Sequence, residues 1–257
     1  MTSRRTLPLA LAALLAVVAG CATAAPPAKN GPKPLDWADP AKQAAAARRM
    51  LQSGGGTLAP VYEPLAEYLV DHLNLAGKQG VGIDVGSGPG TLLVALAKRT
   101  DLHWINADIN PHFFGPFYAS ATKAGVAHRV SAVRADATRL PFRDGLAAVI
   151  VSRGSFHFWS DRAKGFAEIY RVLAPGGVAY IGRGFSPNLP PETARGIRAK
   201  QGKKMKYDPE KLAGELRAIM AGLGIRQAQV HVPCPPGAGD VSYGVWAEFR
   251  KPKEGSE

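Results

Sequence analysis

Apolar residues follow two different periods along this chain. Short apolar runs bounded by Gly, Pro or Asp are typical of buried strands, whereas apolar residues recurring every three or four positions are typical of helices. The short runs predict seven strands, over residues 81–85, 102–108, 129–136, 146–152, 178–183, 226–232 and 243–249. Helical spacing predicts helices over residues 41–52, 57–75, 91–99, 112–124, 161–173 and 209–222, the last with Asp208 as its N-cap.

Strands that alternate with helices predict an α/β fold with a parallel sheet. The last connection is the stretch "PCPPGAGD", residues 233–240, which is too short for a crossover helix. The two final strands should therefore pair antiparallel. The chain has 257 residues, enough for one domain with a full core. We predict a doubly wound, seven-stranded, mostly parallel sheet with a reversed last strand.

The N-terminus has the three parts of an export signal. Arg4 and Arg5 precede an apolar run over residues 7–19, which "AGC" follows. The run is shaped like a signal-peptide core. The stretch "VAGC" resembles a bacterial lipobox, which implies a signal peptide over 1–20 and a lipid on Cys21 that anchors the mature protein to a membrane. Residues 21–40 are rich in Ala, Pro and Lys and predict a flexible tether.

Three alternatives to lipoprotein export stay open. Residues 1–20 can be a plain secretory signal followed by a chance cysteine. The stretch "SRRTL", residues 3–7, partly resembles a twin-arginine signal, a route that exports proteins already folded. If Met50 were the true first residue, the protein would be cytoplasmic.

Charge and cysteine content narrow the classes of partner. Lys and Arg number 32 against 20 Asp and Glu, a net charge of +12 that favours lipid headgroups, acidic substrates or nucleic acid. The motifs of nucleic-acid-binding folds are absent, so we expect no specific nucleic-acid partner. The two cysteines, Cys21 and Cys234, are too few for a disulfide framework or a thiolate metal cluster, and we predict no metal. We interpret Cys234 as a small buried residue rather than a nucleophile.

The stretch "VGIDVGSGPGT", residues 81–91, places glycines between a strand and a helix. Such a turn lets a ligand approach the backbone at the positive end of a helix, although a tight turn alone would also need glycine. Asp84, Asp108 and Asp136 lie at the ends of three successive predicted strands, along one rim of the sheet. A carboxylate at Asp108 suits a ribose diol, and one at Asp136 can accept from an adenine amino group.

Five stretches in a fixed order strengthen this interpretation. They are "GIDVGSGPG", "NADIN", "RADATRLPF", "SRGSFHFWSD" and "IYRVLAPGGVAYI", which all lie within residues 81–183. In order and spacing they resemble the motifs of class I S-adenosylmethionine-dependent methyltransferases, in the group around the ubiquinone and menaquinone enzymes. The nicotinamide fingerprint G-x-G-x-x-G fits less well, because the third glycine comes one place early.

The resemblance implies a Rossmann-like methyltransferase fold over residues 41–257 and S-adenosylmethionine as cofactor. The glycines would shape the pocket for the methionine end, Asp84 would orient its amino group, and Asp136 would hold adenine. The implied cofactor-binding residues are Asp84, Gly86, Ser87, Gly88, Gly90, Asp108, Ile109, Asp136, Ala137 and Ser152.

His157 is the candidate catalytic base, needed only if the acceptor arrives protonated. The alternative is a structural histidine that caps the next helix; Ser160 or Asp161 could also cap it. We interpret the aromatic neighbours Phe156, Phe158 and Trp159 as core more than acceptor pocket. We expect Arg153, close to the place of the cofactor's sulfonium, to turn outward toward an acidic acceptor or to pair with a carboxylate.

Residues 184–208 interrupt the sheet pattern and carry six basic residues, Arg195, Arg198, Lys200, Lys203, Lys204 and Lys206. In the related enzymes this region often forms the acceptor lid, and a basic lid could attract an anionic acceptor or anionic lipid. The alternative is a solvated loop whose basic residues bind no partner. Our preferred hypothesis is a methyltransferase at the bacterial cell envelope acting on a small-molecule or lipid-like acceptor. The alternative is a lipoprotein that binds an adenosyl ligand without turnover.

Overall fold

The computed structural model describes residues 39–54, 57–202, 207–253 and 255. Seven strands form one sheet in the order β3-β2-β1-β4-β5-β7-β6. They are β1 (Val81–Val85), β2 (His103–Asp108), β3 (Val130–Arg134), β4 (Ala147–Arg153), β5 (Leu173–Gly184), β6 (Ala228–His231) and β7 (Gly244–Arg250). Strands β1 to β5 pair in parallel, and β7 runs antiparallel to both β5 and β6. The predicted sheet and its reversed last strand are confirmed.

Helices cover both faces of the sheet. They are α1 (Pro40–Gly54), α2 (Ala59–His72), α3 (Thr91–Ala97), α4 (Phe114–Lys123), α5 (Arg162–Val172), α6 (Pro191–Gln201) and α7 (Pro209–Gly222). Helix α7 has the predicted bounds, and the Asp208 carboxylate caps it by accepting from the backbone N–H groups of Glu210 and Lys211. Helix α6 was not predicted. Its sequence contains few apolar residues, of which Ala194 and Ile197 are buried.

Two apolar clusters form the core, one on each face of the sheet. Helices α2, α3 and α4 pack around Trp104 on one face. Helices α5 and α7 pack over Ile83 and Ile150 on the other. Gly82 makes room for Trp104, since a Cβ at Gly82 would lie 2.6 Å from the indole ring. A smaller cluster that includes Phe185, Ile197 and Tyr243 holds α6 against the ends of β5 and β7.

Two strand boundaries differ from the prediction in a way that affects the site. Strand β5 begins at Leu173, the last residue of the predicted helix 161–173, and includes the "APGG" stretch, because Leu173 pairs with Ala147 before a register shift in β4. Strand β3 ends at Arg134, so Asp136 lies in the turn beyond the strand.

Several predicted features lie outside the described residues. These are the signal peptide, Cys21, the tether as far as residue 38, and residues 203–206 of the basic segment. In the described part of the chain, no helix combines the length and the apolar character needed to cross a membrane.

Candidate active site

The turn after β1 depends on three glycines with left-handed backbone angles: Gly86 (φ 68°), Gly88 (φ 55°) and Gly90 (φ 75°). A Cβ at Gly86 would lie 2.3 Å from Cβ of Ser155, and one at Gly90 would lie 2.2 Å from the ring of Phe117. Gly86 and Gly90 are therefore required for packing. A Cβ at Gly88 would meet only the end of the Met50 side chain, at 3.3 Å. Gly88 itself is buried, and only this flexible side-chain end lies where its Cβ would be.

Asp84 is a buried carboxyl group with one unused oxygen. It is only 2% exposed, and burial raises its pKa to about 7, helped by the nearby charge of Asp108. The Ser87 hydroxyl opposes this shift by donating a 2.7 Å hydrogen bond to Oδ2 of Asp84. Oδ1 of Asp84 is buried and has no hydrogen-bond partner. Because buried polar atoms are rarely left unpaired, this oxygen fits a cationic donor such as the amino group of S-adenosylmethionine.

Asp108, at the end of β2, fixes the glycine turn. Its Oδ2 accepts from the backbone N–H of Gly88 at 2.7 Å, and its Oδ1 accepts from that of Asn110 at 2.8 Å. Burial raises the pKa of this carboxyl group, and the two hydrogen bonds counteract the rise. Each oxygen keeps a second lone pair, so a ribose diol can still donate to Asp108.

Two asparagines in the same motif were missed by the sequence analysis. The Asn106 side-chain amide donates to the Gly88 carbonyl at 3.0 Å, so β2 holds both sides of Gly88. The Asn110 side chain donates to the Gln43 carbonyl at 2.9 Å, which attaches α1 to the rim. Asn106, Asp108 and Asn110 alternate along "NADIN", and this period of two was the available signal.

Asp136 is separate from the buried pair Asp84 and Asp108. It is exposed, and its Oδ1 accepts from both the backbone N–H and the hydroxyl of Thr138, each at 2.8 Å. The adjacent Ala137 is buried, and Ile109 is half-buried. The remaining oxygen of Asp136 carries no hydrogen bond within the described chain and suits an amino-group donor at the outer end of the rim.

Ser152, at the end of β4, belongs to a buried hydroxyl network. Its Oγ lies 2.6 Å from Oγ of Ser155, which donates to the Val85 carbonyl at 2.9 Å and accepts from the Trp159 indole at 3.2 Å. This network fixes the end of β4 to the end of β1. Ser152 therefore shapes the floor of the site.

His157 lies in a short 3-10 helix, Phe156–Phe158. Its Nδ1 is buried with no hydrogen-bond partner, and burial lowers its pKa to about 3, with further lowering by Arg183 and Arg162. The ring is therefore neutral near pH 7 and can exchange a hydrogen bond with a ligand. His157 does not cap the next helix, because the Asp161 carboxylate does so by accepting from the backbone N–H of Lys164 at 3.0 Å.

The aromatic neighbours of His157 divide between core and surface. Phe156 is fully buried, as predicted, whereas the core interpretation is wrong for Phe158, which is 43% exposed. Cys234, predicted to be buried, is exposed in the loop between β6 and β7. That loop has three prolines and two glycines, which hold it on the surface rather than in the core.

A cavity of about 370 Å³ opens beside His157, at the same edge of the sheet. It is lined by Leu58, Arg153, Gly154, His157, Arg183, Gly184, Phe185, Arg198, Gln201, Gly202 and Tyr207. Arg153 donates to the Gly184 carbonyl at 3.3 Å and lies over the Tyr62 ring, 5.1 Å from its centroid. No carboxylate of the described chain pairs with Arg153. Of the two predicted alternatives for Arg153, pairing with a carboxylate is therefore wrong.

Comparisons with known proteins agree with this geometry. Residues 83–181 match the family model described as a methyltransferase domain. The chain is 35% identical over 98 residues to 2-methyl-6-phytyl-1,4-hydroquinone methyltransferase 2 of Oryza sativa subsp. japonica, covering 38% of this chain and 27% of that protein. It is 34% identical over 116 residues to demethylmenaquinone methyltransferase of Thermus thermophilus, covering 45% of this chain and 50% of that protein. The chain thus spans between a quarter and a half of the length of these curated relatives.

Solved structures extend the likeness over most of the chain. A Methanococcus maripaludis protein, classed by its name with the S-adenosylmethionine-dependent methyltransferases, superposes with a TM-score of 0.71 at 28% identity, covering 83% of this chain and 95% of that one. An S-adenosylmethionine-dependent methyltransferase from Aquifex aeolicus shares the fold, with a TM-score of 0.57 at 19% identity, covering 82% and 97% of the two chains. Residues 83–181 therefore match a methyltransferase domain, and the matches together support a class I S-adenosylmethionine-dependent methyltransferase.

Proposed function

We propose that this chain transfers a methyl group from S-adenosylmethionine to a small-molecule or lipid-like acceptor. One observation carries the proposal: the buried, unpartnered oxygen of Asp84 and the glycine turn fixed by Asp108 lie at the same sheet edge as the cavity that His157 lines. The proposed cofactor and acceptor sites would thus adjoin at the ends of parallel strands, where ligands bind in such sheets.

Each cofactor residue has a role that its contacts support. Oδ1 of Asp84 would receive the ammonium group, and that positive charge would favour the ionised carboxylate. Asp108 would receive the ribose hydroxyl groups while its hydrogen bonds keep Gly88 in place. Asp136, with Ala137 and Ile109, would hold the adenine. When bound, S-adenosylmethionine would supply an electrophilic methyl group on a sulfonium.

The chain's contribution to catalysis is positioning and exclusion of water. In-line transfer requires the acceptor atom to be held against the methyl group, and such positioning alone can supply several kcal/mol. His157 would orient the acceptor through a hydrogen bond. Its pKa of about 3 makes it a weak proton acceptor, so we infer that His157 acts on an acceptor that ionises easily or needs no deprotonation.

The names of the relatives and the volume of the cavity together suggest which part of the acceptor is enclosed. The names of two relatives specify a phytyl hydroquinone and a demethylmenaquinone as acceptors. These are lipid-like molecules, and a cavity of about 370 Å³ holds a ring with its substituents rather than a long chain. We propose that any apolar tail of the acceptor extends from the mouth of this cavity.

We also propose that a lipid on Cys21 anchors the protein to the bacterial cell envelope, facing the periplasm or the exterior. The lipobox-like "VAGC" supports this location. A cytoplasmic protein starting at Met50 is the alternative; it would lack Gln43, whose carbonyl attaches α1 to Asn110. Mass spectrometry of the native N-terminus separates the two, since an acylated Cys21 excludes the Met50 start.

The cofactor proposal is tested by isothermal titration of S-adenosylmethionine into the purified protein. We expect micromolar binding that weakens at least tenfold in Asp108→Asn, because the amide replaces an acceptor facing the ribose with a donor. Asp71→Asn is the matched control, since Asp71 is exposed on α2. A well-folded protein that does not bind the cofactor would refute the methyltransferase proposal.

Turnover separates the enzyme from a binding lipoprotein that uses the same fold. The assay follows S-adenosylhomocysteine release while candidate acceptors are screened. Binding of the cofactor without release for any acceptor of the hydroquinone class or of the anionic class argued below would favour the non-catalytic alternative.

A further inference from the structure

The cavity beside His157 has an unbalanced charge. Three arginines line it, Arg153, Arg183 and Arg198, and no Asp or Glu does. In the described part of the chain, none of these three guanidinium groups forms an ion pair with a carboxylate, although other arginines such as Arg162 and Arg171 do. Because other arginines of the described chain pair with carboxylates, the lack of such pairs around this cavity indicates an excess of positive charge there.

Aromatic rings hold these arginines in place without neutralising them. The guanidinium of Arg183 lies over the Tyr207 ring, 4.0 Å from its centroid, and that of Arg198 lies over the Phe185 ring at 4.3 Å. Stacking of this kind fixes the plane of a guanidinium and leaves its edge, with the N–H donors, open to a ligand. The three positive charges are thus preorganised.

The hydrogen bonds divide the arginines into two kinds. Arg198 donates to the Ser242 carbonyl from Nε at 3.1 Å and from a terminal nitrogen at 2.9 Å, and Arg153 donates to the Gly184 carbonyl. Arg183 is half-buried and donates no hydrogen bond to any described residue, so its guanidinium N–H groups remain available to a ligand. Burial and the neighbouring arginines lower the pKa of both Arg183 and Arg198, and Tyr207 opposes this shift.

The position of these charges connects them to the cofactor rim. Arg153 is the last residue of β4 and Arg183 is the penultimate residue of β5, and these strands are parallel neighbours. Their ends lie at the sheet edge that carries Asp84 and Asp108. Carboxyl groups are therefore concentrated at the proposed cofactor side and guanidinium groups at the acceptor side.

We propose that this cavity binds an oxyanionic group, a carboxylate or a phosphate, on the methyl acceptor, with Arg183 as its principal ligand. Both groups present paired oxygens that match the fork of a guanidinium. The role as acceptor site rests on the proposed methyltransferase function, whereas the anion specificity rests on the cavity alone. His157 lines the same cavity, and its neutral ring supplies a further contact for the same molecule.

The test is isothermal titration of phenyl phosphate, benzoate and the neutral benzyl alcohol into the full chain, with and without S-adenosylmethionine. We expect at least one anion to bind, and the alcohol to bind at least tenfold more weakly. The two anions distinguish a phosphate from a carboxylate preference. Arg183→Met should reduce anion affinity at least tenfold, and Arg183→Lys should retain part of it.

The matched control is Arg143→Met, which removes the same charge from an exposed position before the start of β4, whereas the cavity residue Arg153 lies at the end of that strand. Thermal unfolding monitors the fold, and Arg183→Met breaks no hydrogen bond to a described residue. Equal loss in Arg143→Met, equal binding of the alcohol, or no anion binding at millimolar concentration would each overturn the inference.

Cofactor titration separates this inference from the proposed function. If S-adenosylmethionine binds and the anions do not, the anion specificity is refuted and the methyltransferase proposal stands. If Arg183-dependent anion binding occurs in a protein that never binds the cofactor, the acceptor role is refuted.

Discussion

Replacing Asp84 with Asn should stabilise the protein at pH 8 while it weakens binding at the proposed cofactor site. Asp84 is buried, its Oδ1 lacks a hydrogen-bond partner, and its pKa is raised to about 7. Asparagine keeps nearly the same shape, can still accept the hydrogen bond from the Ser87 hydroxyl, and cannot ionise. The variant therefore removes the cost of ionising a buried carboxyl group.

The pH dependence of stability gives the magnitude. Because the pKa of Asp84 is raised in the folded protein, its contribution is most favourable below about pH 4 and is lost as the pH rises toward 7. A tenfold change in proton affinity corresponds to about 1.4 kcal/mol. Between pH 5 and pH 8 the wild type should lose about 3 kcal/mol relative to Asp84→Asn. The amide leaves one buried N–H unpaired, which costs about 1–3 kcal/mol at every pH and does not affect this difference.

The assay is urea unfolding of both proteins at several pH values from 5 to 8, with Asp71→Asn as the control. The control should follow the wild type at every pH, because Asp71 is exposed. Titration of S-adenosylmethionine into Asp84→Asn at pH 8 should show affinity reduced at least tenfold, since the counter-charge for the ammonium group is gone.

Parallel stability curves for the wild type and Asp84→Asn would refute the reasoning. Such curves would mean that Asp84 is already ionised in the folded protein at pH 5. Gain of stability together with unchanged cofactor affinity would leave the burial account correct and remove Asp84 from the proposed binding site.

Further predictions concern the turn, the histidine and the helix over the rim. Gly86→Ala should lower the free energy of unfolding by about 3 kcal/mol or more, since it combines left-handed backbone strain with a clash against Ser155. Gly88→Ala should lower it by only about 1 kcal/mol. Urea unfolding of the two variants measures this difference. The ring of His157 should stay neutral in NMR titrations down to pH 5, because burial lowers its pKa to about 3. The stability that this lowered pKa provides should be lost only as the pH falls below the pKa of a free histidine. A titration midpoint near 6.5 would contradict the burial of His157. Asn110→Ala should remove the hydrogen bond that attaches α1 and lower the free energy of unfolding by about 1–2 kcal/mol. Amide hydrogen exchange should then become faster in α1 more than in α7. An equal change in exchange rate in both helices would contradict the role of this contact.

The order of strands and helices could be read from the sequence because it depends on local periodicity. The segment 209–222 shows this, since an acidic N-cap, a first-turn proline and apolar spacing together specify α7. Helix α6 lacks a strong apolar stripe, and it is held by Phe185 at the end of β5 and by Tyr243, which comes from a distant part of the chain. Cys234 was misjudged for a related reason: a cysteine's burial depends on the surrounding loop, not on its own polarity.

The cofactor rim was predictable in part. The positions of Asp84 and Asp108 follow from strands that end at one edge, which is a property of parallel topology. The unpartnered oxygen of Asp84 and the two-sided hold on Gly88 required coordinates, because they depend on distances within a few tenths of an ångström.

The sequence by itself determined the α/β architecture, the reversed last strand and the acidic rim, because periodic burial and strand ends are encoded by neighbouring residues. Only the tertiary structure decided the chemistry of the acceptor side. Arg153, Arg183 and Arg198 come from two strands and a helix, and their charge becomes unbalanced only when they meet around one cavity without a carboxylate. Electrostatic cost depends on distance and burial in space, and neither can be read from separation along the chain.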